Sequence, residues 1–347
     1  MSVKIRLPAE WEKHAATWLA WPAEPDDWPG KLRSARLAFT EMARVISRDE
    51  TVRVVCGDKK QRREARGLLA RAGVPAESLE FFVLPKDRGW MRDSLPFMTR
   101  TAEGLQCVSF GFNGWARYAN HKMDAKLGGL VCGILRVAPT VPRRFGNKIV
   151  LEGGAVDSNG AGTLLTTEEC LLGETQVRNP GFTRDDYEDV FGEYLGIRKT
   201  LWLGRGIAGD DTGGHVDDCC RFVSDSTVVA CVESDPTDYN YEPLRENLER
   251  LQGMRTAAGD KLEVVELPMP EPVYWDGMRL PASYANFYVC NAAVMVPTFN
   301  DPADYYALGV FSELFPDRLA IGIHARDLVL GLGTLHCLTH EEPLSTP

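Results

Sequence analysis

The fold class the sequence predicts is an α/β chain of repeated small mixed sheets, and three observations predict it. Strand-like and helix-like stretches alternate along all 347 residues. Helical segments recur at intervals of roughly 50 to 70 residues, the scale of a structural repeat. Strand segments joined by turn-forming residues lie beside the helical crossovers. A doubly wound sheet would explain the alternation alone, but the hairpins favour separate mixed sheets. A ring of such units would bring their loops to one central mouth. The length exceeds the roughly 250 to 300 residues at which a single core stops growing, which calls for two domains or one fold of repeated units. No Ser/Gly linker or low-complexity tract divides the sequence, so one domain is expected over residues 1–347.

Taken in order, residues 17–22 (TWLAWP) are expected as a tryptophan-rich strand. Residues 31–46 carry helical apolar spacing through Leu32, Ala35, Phe39, Met42 and Ile46. Residues 51–56 form a second strand, 60–72 a basic helix and 79–84 an apolar strand, which leads into the loop PKDRGWMRDSLPFM. The next unit has a strand at 107–112, a helix near 123–135 and the tract NKIVLEGGA at 147–155. SNGAG then reads as a hairpin turn, with TLLTT as the returning strand. Helices at 183–195, 241–254 and 302–315 precede the strands KTLWLG, EVVELP and RLAIGI. A long apolar strand is expected over 284–297.

Composition bounds the function. The chain is 44% hydrophobic and 25% charged, as soluble globular proteins are. A formal net charge of −10 argues against nucleic acid or an anionic membrane as partner and suits a cationic ligand. The first residues lack the apolar core of a signal peptide, and no apolar run approaches a membrane span, so a cytoplasmic location is expected. Nine irregularly spaced cysteines do not form a disulfide framework. CxxC, HExxH, Walker and helix-opening GxGxxG patterns are all lacking, so no metal and no nucleotide cofactor is expected.

The most chemically loaded stretch is GDDTGGHVDDCC at 209–220. If 214–222 is extended, the period of two puts His215, Asp217 and Cys219 on one face, a titratable base beside a fixed anion. The plain alternative is a polar strand end in water, but Gly206, Gly209, Gly213 and Gly214 mark tight or φ-positive backbone. Among the cysteines, Cys337 in GLGTLHCLT is the candidate nucleophile, because Gly331 and Gly333 let backbone approach a ligand closely. Cys219 is the weaker rival, and Cys56, Cys132, Cys231 and Cys290 lie in apolar segments as buried thiols do. Glu152 is followed by two glycines at the end of an apolar strand, and Asp93 follows Trp90 and Arg92. Singly these acids read as surface or turn residues; with His215, Asp217 and Cys337 they form a set with complementary roles.

WMRDSLP, LEGGAVDSNGAGTLLTTEECLL followed by RNPG, DDTGGHVDDCCRF, ASYANFYVCN and GLGTLHCLT together resemble the ordered motifs of the agmatine deiminases and the related bacterial peptidylarginine deiminases. LPAEWEKHAATWLAWP and FNGWARY extend the resemblance over nearly the whole chain. It implies the guanidine-modifying superfamily and its five-bladed pseudo-symmetric α/β propeller, the pentein, of ββαβ-type units. It also implies hydrolytic deimination of a small guanidine, agmatine by default, with no cofactor. In the family's scheme Cys337 is the nucleophile, His215 the acid/base and Glu152 the carboxylate that orients His215. Asp93 and Asp217 clamp the guanidinium, Asp211 contacts substrate, and Trp90 walls the pocket. The sequence departs from the agmatine deiminase pattern at Leu95, Leu332 and Thr334, which leaves free arginine, another alkylguanidine or a peptidyl arginine as alternatives for the substrate's tail. A non-catalytic binder of a cationic ligand, or a metal module of His215, Asp217 and Cys219, are the readings from other classes. A homo-oligomer is left open.

Overall fold

The computed structural model describes residues 5–345. Its strands form five sheets of three or four strands and two small hairpins. The sheets share one plan: a short strand runs antiparallel to a central strand, and the central strand runs parallel to a third reached through a helix. Parallel neighbours need such a crossover, whereas antiparallel ones can be joined by a tight turn. The central strands are His14–Ala20, Gly104–Val108, Thr163–Thr167, Thr227–Val232 and Ala293–Thr298. The crossover helices are Leu32–Ile46, Asp124–Leu135, Arg184–Leu195, Tyr241–Gln252 and Ala303–Leu314. The first sheet alone adds a further parallel strand, Leu79–Val83, through helix Lys59–Arg71. Its antiparallel member is the strand Thr339–Pro343, which pairs with His14–Ala20.

Local sequence explains these elements. Leu32–Ile46 buries Ala35, Phe39, Met42, Ala43 and Ile46 on one stripe against the first sheet. Full burial of a side chain such as Phe39 is worth about 1.5–3 kcal/mol. Arg184–Leu195 starts at a capping box between Thr183 and Asp186 and stops at Gly196, whose left-handed φ of 71° an L side chain resists. Thr163–Thr167 is buried along its whole length, so its apolar run shows no alternation. One expectation fails: 284–297 is not a single strand. It is the 3₁₀ turn Tyr284–Asn286, then the hairpin of Tyr288–Val289 with Ala293–Thr298. The reversal falls at Asn291, whose side chain accepts from His14 N and donates to His14 O, fixing the turn against the first strand.

In every sheet the short antiparallel strand is preceded by one helical turn. The five are Met91–Ser94, Gly153–Ala155, Val216–Asp218, Tyr284–Asn286 and Leu335–Leu338. Each packs on the next, and Leu335–Leu338 packs back on Met91–Ser94. Residues distant in sequence are thereby gathered at one place.

Candidate active site

Four of these turns carry or adjoin the acids, histidine and cysteine singled out from the sequence: Asp93 on the first, Glu152 just before the second, His215 and Asp217 at the third, Cys337 on the fifth. All five are buried. His215 Nδ1 lies 3.9 Å from Asp93 Oδ1 and 4.0 Å from Asp217 Oδ1. Cys337 Sγ lies 3.7 Å from Asp217 Oδ2. Asn286, on the fourth turn, donates to Cys337 Sγ at 3.1 Å and to Asp218 Oδ1 at 3.0 Å.

The glycines make this convergence sterically feasible. A Cβ on Gly154 would stand 2.5 Å from His215 Nδ1, 3.0 Å from Asp217 Oδ2 and 3.1 Å from Asp93 Oδ1. One on Gly333 would stand 2.9 Å from the Trp90 ring and 3.2 Å from Cys337 Sγ. Gly209, Gly213 and Gly214 have φ of 91°, 84° and 96°, and they turn the chain so that His215 enters the cluster. Leu332 keeps a left-handed φ of 68°, a strain of about 1–2 kcal/mol for an L residue.

The local conformation at the third turn corrects one expectation. Residues 214–222 are not extended: Val216–Asp218 is a 3₁₀ turn closed by Cys219 N donating to Val216 O at 3.0 Å, and only Cys220–Phe222 is strand. Three residues in a helical turn do not alternate faces, so Cys219 leaves the face of His215 and its thiol points to Val216 O at 3.6 Å. The Cys337 segment is the short helix Leu335–Leu338.

Electrostatically the cluster is an acidic well. Burial pushes Asp93 up to about 7, with Glu152 adding to the effect. Burial and then Asp93 hold Asp217 well above the carboxylate range. The Cys337 thiol is pushed up by burial and by Asp217, Asp218 and Asp93. Burial and then Arg178 hold His215 well below its usual value, so it is neutral. At an effective dielectric near 20, like charges roughly 4 to 8 Å apart repel by about 2–4 kcal/mol. Two carboxylates on one imidazole nitrogen therefore ionise together only when a cation joins them. Asp93 is aimed at this point by Trp115 Nε1 and Gly154 N, both donating at 2.9 Å.

The remaining expected residues are placed as follows. Glu152 Oε1 accepts from Arg178 Nε at 3.2 Å. Glu152 Oε2 and both ring nitrogens of His215 have no hydrogen-bond partner among the described residues. Glu152 and His215 are thus close, with polar atoms within 4.8 Å, but not bonded to each other. Asp211 accepts from the Tyr118 hydroxyl and is linked to Asp93 through the Tyr118 and Trp115 rings, 5.9 Å apart. Trp90 is buried against Trp28, ring centres 5.6 Å apart, beside Gly333. Two donor triplets lie in the same cluster, Glu152–Cys170–His215 and Asp217–Asp218–Cys337. Arg178 disfavours a cation at the first, and Cys219, needed for the proposed metal module, belongs to neither.

Sequence reasoning gave no role to Asn286, Trp115, Arg178 or His336, although each stands inside a motif already quoted. Glu10, 2.9 Å from His336 Nε2, stands inside the quoted LPAEWEKHAATWLAWP and was likewise given no role. Asp27 was also missed; it is buried beside Arg88 at 2.9 Å, with Oδ2 unpartnered.

The model of the Porphyromonas-type peptidyl-arginine deiminase family matches residues 6–343. The chain belongs to this family. An agmatine deiminase of Medicago truncatula is 34% identical over 374 residues, covering 98% of this chain and 96% of the relative. The solved agmatine deiminase of Enterococcus faecalis superposes with a TM-score of 0.90 at 30% identity, covering 99% of this chain and 97% of that one. A Cys-to-Ser variant of the C. jejuni agmatine deiminase, solved with substrate bound, gives a TM-score of 0.88 at 26% identity, covering 99% of this chain and 98% of that one. The α/β architecture is therefore shared along the family member's whole described length.

Proposed function

We propose that this family member is a hydrolase that deiminates agmatine to N-carbamoylputrescine and ammonia through a covalent amidino-cysteine. The observation that carries the reading is the buried Cys337 thiol set against Asp217 and the unpartnered His215 ring in an acidic well. We propose equally that residues 1–347 are one domain and that the five sheets are the blades of a pentein; the cyclic packing of the five turns supports this.

A planar guanidinium presents a fixed fork of donors that two carboxylates satisfy from different edges. Asp93 and Asp217 take that role, and the arriving cation removes their repulsion. It also lowers the cost of the Cys337 thiolate, which the empty well opposes. The thiol proton passes to His215, the sulfur attacks the guanidinium carbon, and His215 gives the proton to the departing nitrogen, which leaves as ammonia. Asn286 holds the sulfur through the attack. His215, neutral again, takes a proton from water; the resulting hydroxide adds to the amidino carbon, the carbon–sulfur bond breaks, His215 returns its proton to the Cys337 thiolate, and the added hydroxyl gives up its proton to the released ammonia as the ureido product forms. Glu152, anchored by Arg178, faces the charge that appears on His215. Asp211 meets the substrate near the Tyr118 side, and Trp90 walls the methylene chain.

No cofactor enters these steps. The acidic well favours a small cationic partner over nucleic acid or anionic membranes, and no helix among the described residues is long and apolar enough to cross a membrane. Ammonia release measured over agmatine, free arginine, other alkylguanidines and a peptidyl arginine, with mass spectrometry of the products, tests the assignment. Agmatine is expected to give the highest kcat/KM; a clear preference for another guanidine overturns the substrate and retains the chemistry.

A further inference from the structure

His336 precedes the nucleophile and is 2% exposed. Both of its ring nitrogens face carboxylates: Nδ1 is 2.6 Å from Asp217 Oδ2 and Nε2 is 2.9 Å from Glu10 Oε2. Glu10 is held as an anion. It accepts from Val289 N at 2.8 Å and meets Arg221 at 3.0 Å and Arg92 at 3.1 Å. An ionised carboxylate only accepts, so Nε2 carries a proton. The contact on the other side must hold a proton too, because a bare carboxylate oxygen against a bare ring nitrogen at this distance would oppose two lone pairs.

That proton belongs either to Asp217 or to His336, and the surrounding charges decide. The ring is faced by Glu10 from the N-terminal stretch, Arg92 from Met91–Ser94, Asp217 from Val216–Asp218, Arg221 from Cys220–Phe222 and Cys337 from its own turn. Without substrate, burial and the neighbouring Asp93 and Asp210 disfavour an anionic Asp217, while burial, Arg221 and Arg92 disfavour an imidazolium. The proton then rests on Asp217. A guanidinium seated on Asp217 reverses the balance, since it stabilises the carboxylate directly and Glu10 stabilises the imidazolium from the far side.

We infer that His336 is the proton acceptor of the clamp: when substrate binds, the proton on Asp217 Oδ2 moves to His336 Nδ1, and Asp217 meets the guanidinium as a carboxylate. The O–H bond breaks, an N–H bond forms, and a neutral pair becomes carboxylate and imidazolium with no change in net charge. The anionic end faces substrate and the cationic end faces Glu10. No proton has to leave a buried site for the clamp to form. His336 is in these terms a positioning residue that acts through Asp217.

This inference rests on agmatine as ligand, and its test separates the two. Agmatine is titrated into the Cys337→Ala protein by calorimetry in buffers of different ionisation enthalpy, and into the same protein carrying His336→Asn. The Asn amide stands near the Nδ1 position but accepts no proton. The double variant is expected to release about one proton more per site on binding. Equal proton counts with only weaker affinity would mean that His336 merely holds Asp217 in place, and would overturn the inference. Where His336→Asn does not fold, nitrogen NMR of ¹⁵N-histidine-labelled Cys337→Ala protein decides: the Nδ1 signal should move from the unprotonated to the protonated range with agmatine, and an unmoved signal overturns the transfer. Failure of agmatine to bind Cys337→Ala at all overturns the substrate reading, and this inference falls with it.

Discussion

Glu10 and Asp217 stand at opposite ends of the His336 ring, and both are buried, yet they are held in contrary states. Burial would raise Glu10, but Arg221, His336 and Arg92 hold it well below the carboxylate range. Asp217 faces Asp93 instead and is held well above it. Around Glu10 the protein supplies its own cations: Arg92 also reaches Glu341 at 2.8 Å, and Arg221 reaches Asp157 at 3.1 Å. Around Asp217 it withholds them. The difference separates a charge lattice completed by folding from a carboxylate that the fold leaves facing another acid.

Variants should break or sharpen that contrast, beginning with the largest effect. We predict that Cys337→Ala lowers ammonia release by roughly 10³-fold or more while the melting temperature stays near wild type, since the change removes the attacking atom. Turnover above a few per cent would remove Cys337 as nucleophile.

Next in size, Glu10→Gln is predicted to destabilise the fold by about 3–5 kcal/mol, because it leaves Arg92 and Arg221 short of a buried partner. Asp217→Asn should leave stability unchanged or raised while lowering kcat at saturating substrate by roughly 10²-fold, as a misaligned reactant does. Denaturant unfolding read beside steady-state kinetics checks both. Equal destabilisation by the two variants would erase the distinction between lattice and clamp.

The smallest expected effect is a pH dependence. The folded-state value of Asp93, about 7, lies above the ordinary carboxylate value it takes when unfolded. The native state therefore binds its proton more tightly, and the stability this gives is present in acid and is lost as pH rises through about 7. We predict that melting temperature falls over this window in wild type and that Asp93→Asn flattens the fall. Glu152→Gln should make the fall end at lower pH, because Asp93 loses a neighbouring negative charge that raises its folded value, so the window narrows from above. Identical curves for wild type and Asp93→Asn would place the titration elsewhere.

Much of the fold was legible because helix periodicity and paired strands are local properties. Strand 163–167 and the crossover helices fall close to where the pattern predicts them. The reading failed where tertiary contacts override local preference: Asn291, bonded across to His14, breaks an apolar run that alone looks continuous. At the site, the glycines around 209–214 and 153–154 announced unusual backbone, and the structure gives the reason in Gly154, which leaves no room for a Cβ. The partners of those residues were illegible. Nothing in the sequence near Glu10 or Arg178 says that the first will reach His336 or the second Glu152, because both contacts depend on how distant turns pack.

The pairing of Thr339–Pro343 with His14–Ala20 joins segments from opposite ends of the described chain. Closing so long a loop costs chain entropy that the native contacts must offset. Cys337 lies two residues before that strand, on a turn that packs against both its neighbours in the ring. The Cys337 thiol is thus held beside the pairing that joins the two ends of the described chain. A chain in which that pairing is not made has the acids and the histidine without a positioned sulfur.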